Sequence, residues 1–486
     1  MALWAPVLTA VLALMAQKTQ AQVYVIEGYF VTDYEAVMSY VRLIPGTASF
    51  DTKKAQALAS MNKDIDYILT EVNQILSTLS ANGLVIELRL RKLDILNTNV
   101  IPGTSLYPGV PNAVDSGTAL NSFQSWLNQQ NAYSTLNYDL AILWTGYDLY
   151  GSSSIFTAGY AHVGAVCDSK KSTGVVEFNG TYGTATVTAH EIAHILGAEH
   201  GGAASKHVMT SYSAPDNAKR WFFSQCSATD IKDYLATLSP NCLLTTSSSS
   251  TKPSTTYGSY TGSMLDPDAI CQRSLNTTAT YMCRANELYS SSTPSGDKVC
   301  SQIFCAQPGT SYCSSAYASE GMVCDASKRC NDGKCIPDTS APANVNPKCL
   351  WGDQKLLELF SLGFTGNCTT FLAKYGSSSC YNDAINQRCC ASCKPYYTGR
   401  VGCEYGDKST DCGKYAKSAV CPQYKTSMCC NYCYGFVSKR STKQDRPRGK
   451  FDVLLFPTLG ATAVLNVTQY PVPFEGTKSK GDNSED

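Results

Sequence analysis

Between Val23 and Cys242 the apolar positions alternate between strand-like runs and stretches with helical spacing. Val23 to Val31, Leu84 to Leu93 and Tyr138 to Thr145 predict strands. Leu58, Met61, Ile65, Ile68, Val72, Ile75 and Leu79 recur on one helical face and predict a long helix over Lys54 to Leu79. A further helix is expected over Thr118 to Gln130. Strands alternating with helices specify an α/β core that folds by burial, since only three cysteines fall in this part of the chain.

The pattern then breaks. Thr245 to Ser263 is dominated by Ser and Thr, with Pro253 and Gly258, a composition too poor in apolar surface to order itself. It predicts a linker at 245–263 that is able to carry O-linked sugar. Beyond it stand 20 of the 23 cysteines. Eight, at 271, 283, 300, 305, 313, 324, 330 and 335, form one block within 264–340. Six follow over 349–393 and six over 403–433, and both sets end in the same C-C-x-x-C signature, Cys389-Cys390-Ala-Ser-Cys393 and Cys429-Cys430-Asn-Tyr-Cys433. This repetition marks an internal duplication. Even cysteine numbers let each block close on itself, as domains with so few large aliphatic residues require. The remainder, 434–486, carries a basic run from Lys439 to Lys450 and reads as a flexible tail.

Charge excludes some functions and cysteine usage places the chain. Lys and Arg total 39 against 39 Asp and Glu, so neither nucleic acid nor a membrane surface is an expected partner. No internal run is long and apolar enough for a membrane span. The cysteine density belongs to an oxidising compartment, and the apolar run Leu3 to Ala16, followed by small residues, predicts a signal peptide over 1–21 and a secreted chain. N-x-S/T sequons at Asn179, Asn276, Asn367 and Asn466 suit an exported glycoprotein.

The chemistry concentrates in His190-Glu191-Ile-Ala-His194-Ile-Leu-Gly197-Ala-Glu-His200, which fits H-E-x-x-H-x-x-G-x-x-H at every fixed position. Four residues apart on a helix, His190 and His194 project from one face and can hold one ion. Gly197 allows a sharp exit from the helix that brings His200 round as third ligand. A zinc ion with one open position is implied, with Glu191 placed to move the proton of an attacking water. The chain has five histidines, and three of them occupy these positions, which makes coincidence remote. His207 is read as a loop residue rather than a further ligand.

These residues resemble the metzincin zinc peptidases. Met209, in His207-Val-Met209-Thr, matches their Met-turn. Tyr138 to Gly146, Ala161 to Cys167 and Phe223 to Ser227 narrow the resemblance to the adamalysin (reprolysin) branch, which includes the ADAM and ADAMTS proteases. The fold it implies is a metalloprotease domain over 22–244 with a mixed, mostly parallel sheet and an active-site helix. The eight-cysteine block resembles a disintegrin-like module and the two six-cysteine blocks resemble PLAC repeats. The resemblance further implies a structural calcium ion on Glu27, Asp139 and the Cys242 backbone, with Thr245 in place of the usual Asn. It pairs Cys167 with Cys242 and leaves Cys226 unpaired; the residues alone leave open which of the three stays free. Substrate is expected to lie antiparallel against an edge strand near Ala161 to Val166. Gly201 departs from the usual Asp after the third histidine, and no cysteine-switch segment is found before Val23.

The expected function is a secreted, monomeric zinc metalloendopeptidase acting on extracellular-matrix proteins. The alternative is a silent component of a calcified or fibrous matrix that uses the same modules for binding.

Overall fold

The computed structural model describes residues 22–98, 106, 112–151, 154–201, 206–213, 219–253, 265–284, 296–310, 312–359, 363–437, 472–473 and 475–477. The expected signal peptide, the basic run and Asn466 lie outside them.

In chain order the first region comprises β1 (Val23–Thr32), α1 (Tyr34–Arg42), α2 (Phe50–Ser77), β2 (Val85–Ile95), α3 (Ser116–Gln129), β3 (Leu140–Thr145), β4 (Gly159–His162), β5 (Thr173–Glu177), α4 (Tyr182–Ile195) and α5 (Gln225–Thr237). The sheet runs β4-β5-β3-β1-β2, parallel throughout except for the antiparallel pairing of β4 with β5. Helices cover both faces, so strands such as Leu140 to Thr145 are buried at every position. One core joins the sheet to α1, α2, α4 and α5; another, around Phe123, Leu120 and Tyr138, seals the opposite face against α3. This is the mixed, mostly parallel α/β arrangement that the sequence implies.

Boundaries shift for local reasons. α2 begins at Phe50, four residues before the expected start at Lys54, because Ser49 caps it by accepting from the Thr52 amide. The segment after His162 is a turn rather than a strand: the amides of Gly164, Ala165 and Val166 donate to the His194 and Ile195 carbonyls at the end of α4. The edge strand therefore ends at His162, short of the expected Val166.

The Ser/Thr-rich stretch departs from its composition at its start. Thr251 exchanges backbone hydrogen bonds with Leu90 on the open edge of β2, and Lys252 pairs with Glu87 at 2.7 Å. An unpaired edge supplies backbone partners that no apolar side chain is needed to use. The other edge is also covered. Glu475–Thr477, in the region that composition leaves without regular structure, pairs in parallel with Tyr160 to His162 of β4.

Each cysteine block closes on itself. The eight-cysteine module contains α6 (Pro267–Ser274), β6 (Gln302–Ala306) and β7 (Cys313–Tyr317), tied by Cys271–Cys305, Cys283–Cys313, Cys300–Cys330 and Cys324–Cys335. The two six-cysteine blocks share one connectivity, first to fifth, second to fourth and third to sixth: Cys349–Cys390, Cys368–Cys389 and Cys380–Cys393, then Cys403–Cys430, Cys412–Cys429 and Cys421–Cys433. Four residues after the first cysteine of each, Asp353 and Asp407 accept from the amides of Ala391 and Ser392, and of Asn431 and Tyr432. The duplication therefore extends from the cysteines to the carboxylate that caps the C-C-x-x-C turn.

Candidate metal centre

α4 is buried along its whole length between the sheet and α2. Its buried threonines spend their hydroxyls on local hydrogen bonds, so His190, Glu191 and His194 are the imidazole and carboxyl side chains it carries inside. His190 and His194 extend from one side. At Gly197 the backbone turns with φ of 98°, and a Cβ there would stand 2.5 Å from Cβ of Tyr234, so the chain leaves the helix where only glycine fits. His200 then returns to face the helix.

The Nε2 atom of His200 lies 3.2 Å from Nε2 of His190 and 3.2 Å from Nε2 of His194. Three nitrogens on a tetrahedral zinc at ~2.05 Å sit about 3.3 Å apart, so the cluster has the dimensions of that coordination shell. The remaining ring nitrogens fix the tautomers. Nδ1 of His190 lies 2.7 Å from the Val208 carbonyl and Nδ1 of His194 lies 2.8 Å from the Ala198 carbonyl. A carbonyl only accepts, so both Nδ1 atoms carry the proton and both Nε2 lone pairs point into the cluster. Burial, with the neighbouring histidines, holds His190 well below the usual imidazole range and pushes His194 down to about 3. Neutral imidazoles are the form that binds a cation.

Glu191 is fully buried, and both its carboxylate oxygens lack a hydrogen-bond partner among the described residues. Burial raises its proton affinity well above that of an ordinary carboxylate. Three convergent imidazoles, with a buried carboxyl that lacks a partner among the described residues one position after His190, form the donor set expected of a metal with a proton acceptor near it. Across from it, Gly159 of β4 leaves room for this side chain, since a Cβ there would lie 2.4 Å from Oε1. A glycine inside a strand pattern signals such close approach, though composition does not name its neighbour.

Met209 is buried, and its carbonyl accepts from the Gly201 amide at 2.7 Å. Gly201, which departs from the expected pattern, thus holds the segment around Met209 through its backbone. His207 stands outside the cluster. Cys300, Cys324 and Cys335 also lie close together, but all three are in disulfides.

Glu27, midway along β1, meets Asp139, the residue just before β3. Asp139 accepts from the Glu27 amide at 2.7 Å, and Glu27 accepts from the Ser247 amide. Burial, partly offset by that amide, raises the Asp139 carboxyl to about 7, with the Glu27 charge adding to the rise. The Cys242 carbonyl accepts from the Thr245 hydroxyl at 3.0 Å. Cys167 and Cys242 are bonded, and Cys226, on α5, is an exposed free thiol. Asn179, Asn276 and Asn367 are exposed.

Comparison with known proteins gives the same region. The family profile for Metallo-peptidase family M12 (reprolysin) matches residues 29–249. A disintegrin and metalloproteinase with thrombospondin motifs 1 from Rattus norvegicus is 28% identical over 251 residues, 48% of this chain and 24% of that protein. Its namesake numbered 4 from Mus musculus is 29% identical over 253 residues, 48% of this chain and 28% of that protein. A disintegrin and metalloproteinase with thrombospondin motifs like from Bombyx mori is 28% identical over 275 residues, 49% of this chain and 37% of that protein. The chain spans between 24% and 37% of the length of these relatives.

Proposed function

We propose that this chain, which carries an ADAM/ADAMTS-like metzincin domain, is a secreted zinc-dependent endopeptidase of the extracellular matrix. The observation that carries the reading is the convergence of three Nε2 atoms beside a buried carboxylate that has no partner of its own among the described residues.

His190, His194 and His200 would hold the zinc. When bound, that ion would supply Lewis acidity, polarising a peptide carbonyl and lowering the pKa of water to about 7. The protein does the rest. Val208 and Ala198 keep the imidazoles in the ligating tautomer. Glu191 takes a proton from the attacking water and returns it to the departing amine, a transfer that its lack of competing hydrogen bonds favours. The outer edge of β4, paired here with Glu475–Thr477, is the backbone row along which an extended peptide would align in that segment's place. Glu27, Asp139 and the Cys242 carbonyl would hold a structural calcium, a hard cation suited to two buried carboxylates in electrostatic contact. Disulfide density and the absence of any long apolar helix among the described residues suit an extracellular setting. The eight-cysteine and duplicated blocks act as disintegrin-like and PLAC-like modules that hold a matrix protein near the zinc and raise its effective concentration.

Cleavage of a matrix protein by the zinc-loaded chain and by Glu191→Ala tests the proposal. Wild type should cleave, and the variant should bind zinc yet lose activity by several orders of magnitude. Equal cleavage by both, or none by either with zinc bound, removes the enzymatic reading and leaves a matrix-binding protein.

A further inference from the structure

The eight-cysteine module is not tethered loosely beside the metal centre. Arg220, fully buried, lies at 3.7 Å over the Trp221 ring, with Tyr182 at the start of α4 and Tyr317 of the module also beside its guanidinium. Glu320 of the module accepts from Trp221 Nε1 at 2.5 Å through one carboxylate oxygen and from the Asp332 amide at 2.8 Å through the other. Its own carbonyl accepts from the Tyr67 hydroxyl on α2, and Arg220 draws on its charge. Gly333 completes the fit: a Cβ there would stand 2.4 Å from the Trp221 indole.

What the module grips is one end of the backbone that orients a zinc ligand. The carbonyl of Phe222, the residue after Trp221, accepts from the Val208 amide at 3.1 Å. The carbonyl of Val208 in turn fixes Nδ1 of His190. A continuous run of hydrogen bonds and one peptide link therefore leads from a carboxylate in a separate disulfide-bonded module to the first metal-binding imidazole.

We propose that Glu320 is a positioning residue for His190, acting through Trp221, Phe222 and Val208, so that the docked module tightens zinc binding. The inference rests on the zinc reading above and adds that the cysteine-rich module is part of the metal centre's support. Partners one step outside a metal ligand typically change affinity 10- to 100-fold. Glu320 stands further out, and a change of about 3- to 10-fold is expected.

The test uses the full chain and zinc alone, with its dissociation constant set by competition against a chelator. Trp221→Phe removes the indole donor while keeping a ring beside Arg220, and Glu320→Ala removes the acceptor. Each should weaken zinc binding about 3- to 10-fold, and the double variant should fall no further than the weaker single variant. Glu320→Gln, which keeps an acceptor for the indole, should restore affinity to within about twofold. Phe304→Leu, in the module's own buried core, controls for general loss of stability: it should lower the melting temperature and leave zinc affinity unchanged. Wild-type affinity in Trp221→Phe and Glu320→Ala overturns the inference and spares the peptidase reading. A wild-type chain that takes up no zinc removes both.

Discussion

Gly159 on the edge strand faces Glu191 on α4 so closely that a methyl group at position 159 would stand 2.4 Å from Oε1 and 2.8 Å from Cγ. Displacing the carboxylate by even an ångström should be costly, since proton transfer depends on its reach. Gly159→Ala is therefore expected to lower kcat about 10- to 100-fold on a peptide substrate, with zinc content unchanged. Unaltered kcat would mean that Glu191 does not act from this position.

Zinc removal should destabilise the domain as well as silence it. Stripping the metal removes the cation that two buried imidazoles, a half-buried third and a buried carboxyl would share. Reloading to ~100 times the dissociation constant should return about 2.7 kcal/mol of stability. His194→Ala should show no such gain when melting curves are compared with and without zinc.

Calcium should raise the melting temperature of the full chain, and Glu27→Gln combined with Asp139→Asn should abolish that response. The double variant should also be less sensitive to calcium removal, because the two buried carboxylates no longer oppose each other. Equal calcium responses in wild type and variant would move the ion elsewhere.

Glu475–Thr477 pairs with the same edge, Tyr160 to His162, along which a peptide substrate is proposed to align. Both cannot occupy that row of backbone groups. Deleting residues 472–486 should lower KM for an extended peptide several-fold while leaving kcat nearly unchanged. A higher or identical KM would show that this strand does not compete with substrate.

The histidine cluster is legible in the sequence because its members are local. Two histidines one helical turn apart and a glycine at the exit define most of its geometry without tertiary information. The strands are legible because burial on both faces makes them apolar throughout. The supporting shell is not. Val208 and Ala198 contribute carbonyls, which every residue possesses, so no side chain betrays them. The module interface is hidden for another reason: Asp64, Tyr67 and Glu71 form a polar stripe at helical spacing on α2, yet all are buried. Periodicity assigns such a stripe to solvent. Asp64 instead meets Arg273 of α6, and Tyr67 meets Glu320. Polar residues paired across a domain interface carry the same signature as an exposed face until the partner is known. The repeats present a similar limit. Their C-C-x-x-C endings are visible, whereas the shared connectivity and the Asp353 and Asp407 caps emerge only from the folded modules.

X-ray absorption at the zinc edge of the loaded full-length chain tests the central claim most directly. Three histidine nitrogens at about 2.0–2.1 Å with one further light ligand are expected, falling to two in His200→Ala. Sulfur in the first shell, or a spectrum unchanged by that substitution, would contradict the three-imidazole centre on which the hydrolytic role depends.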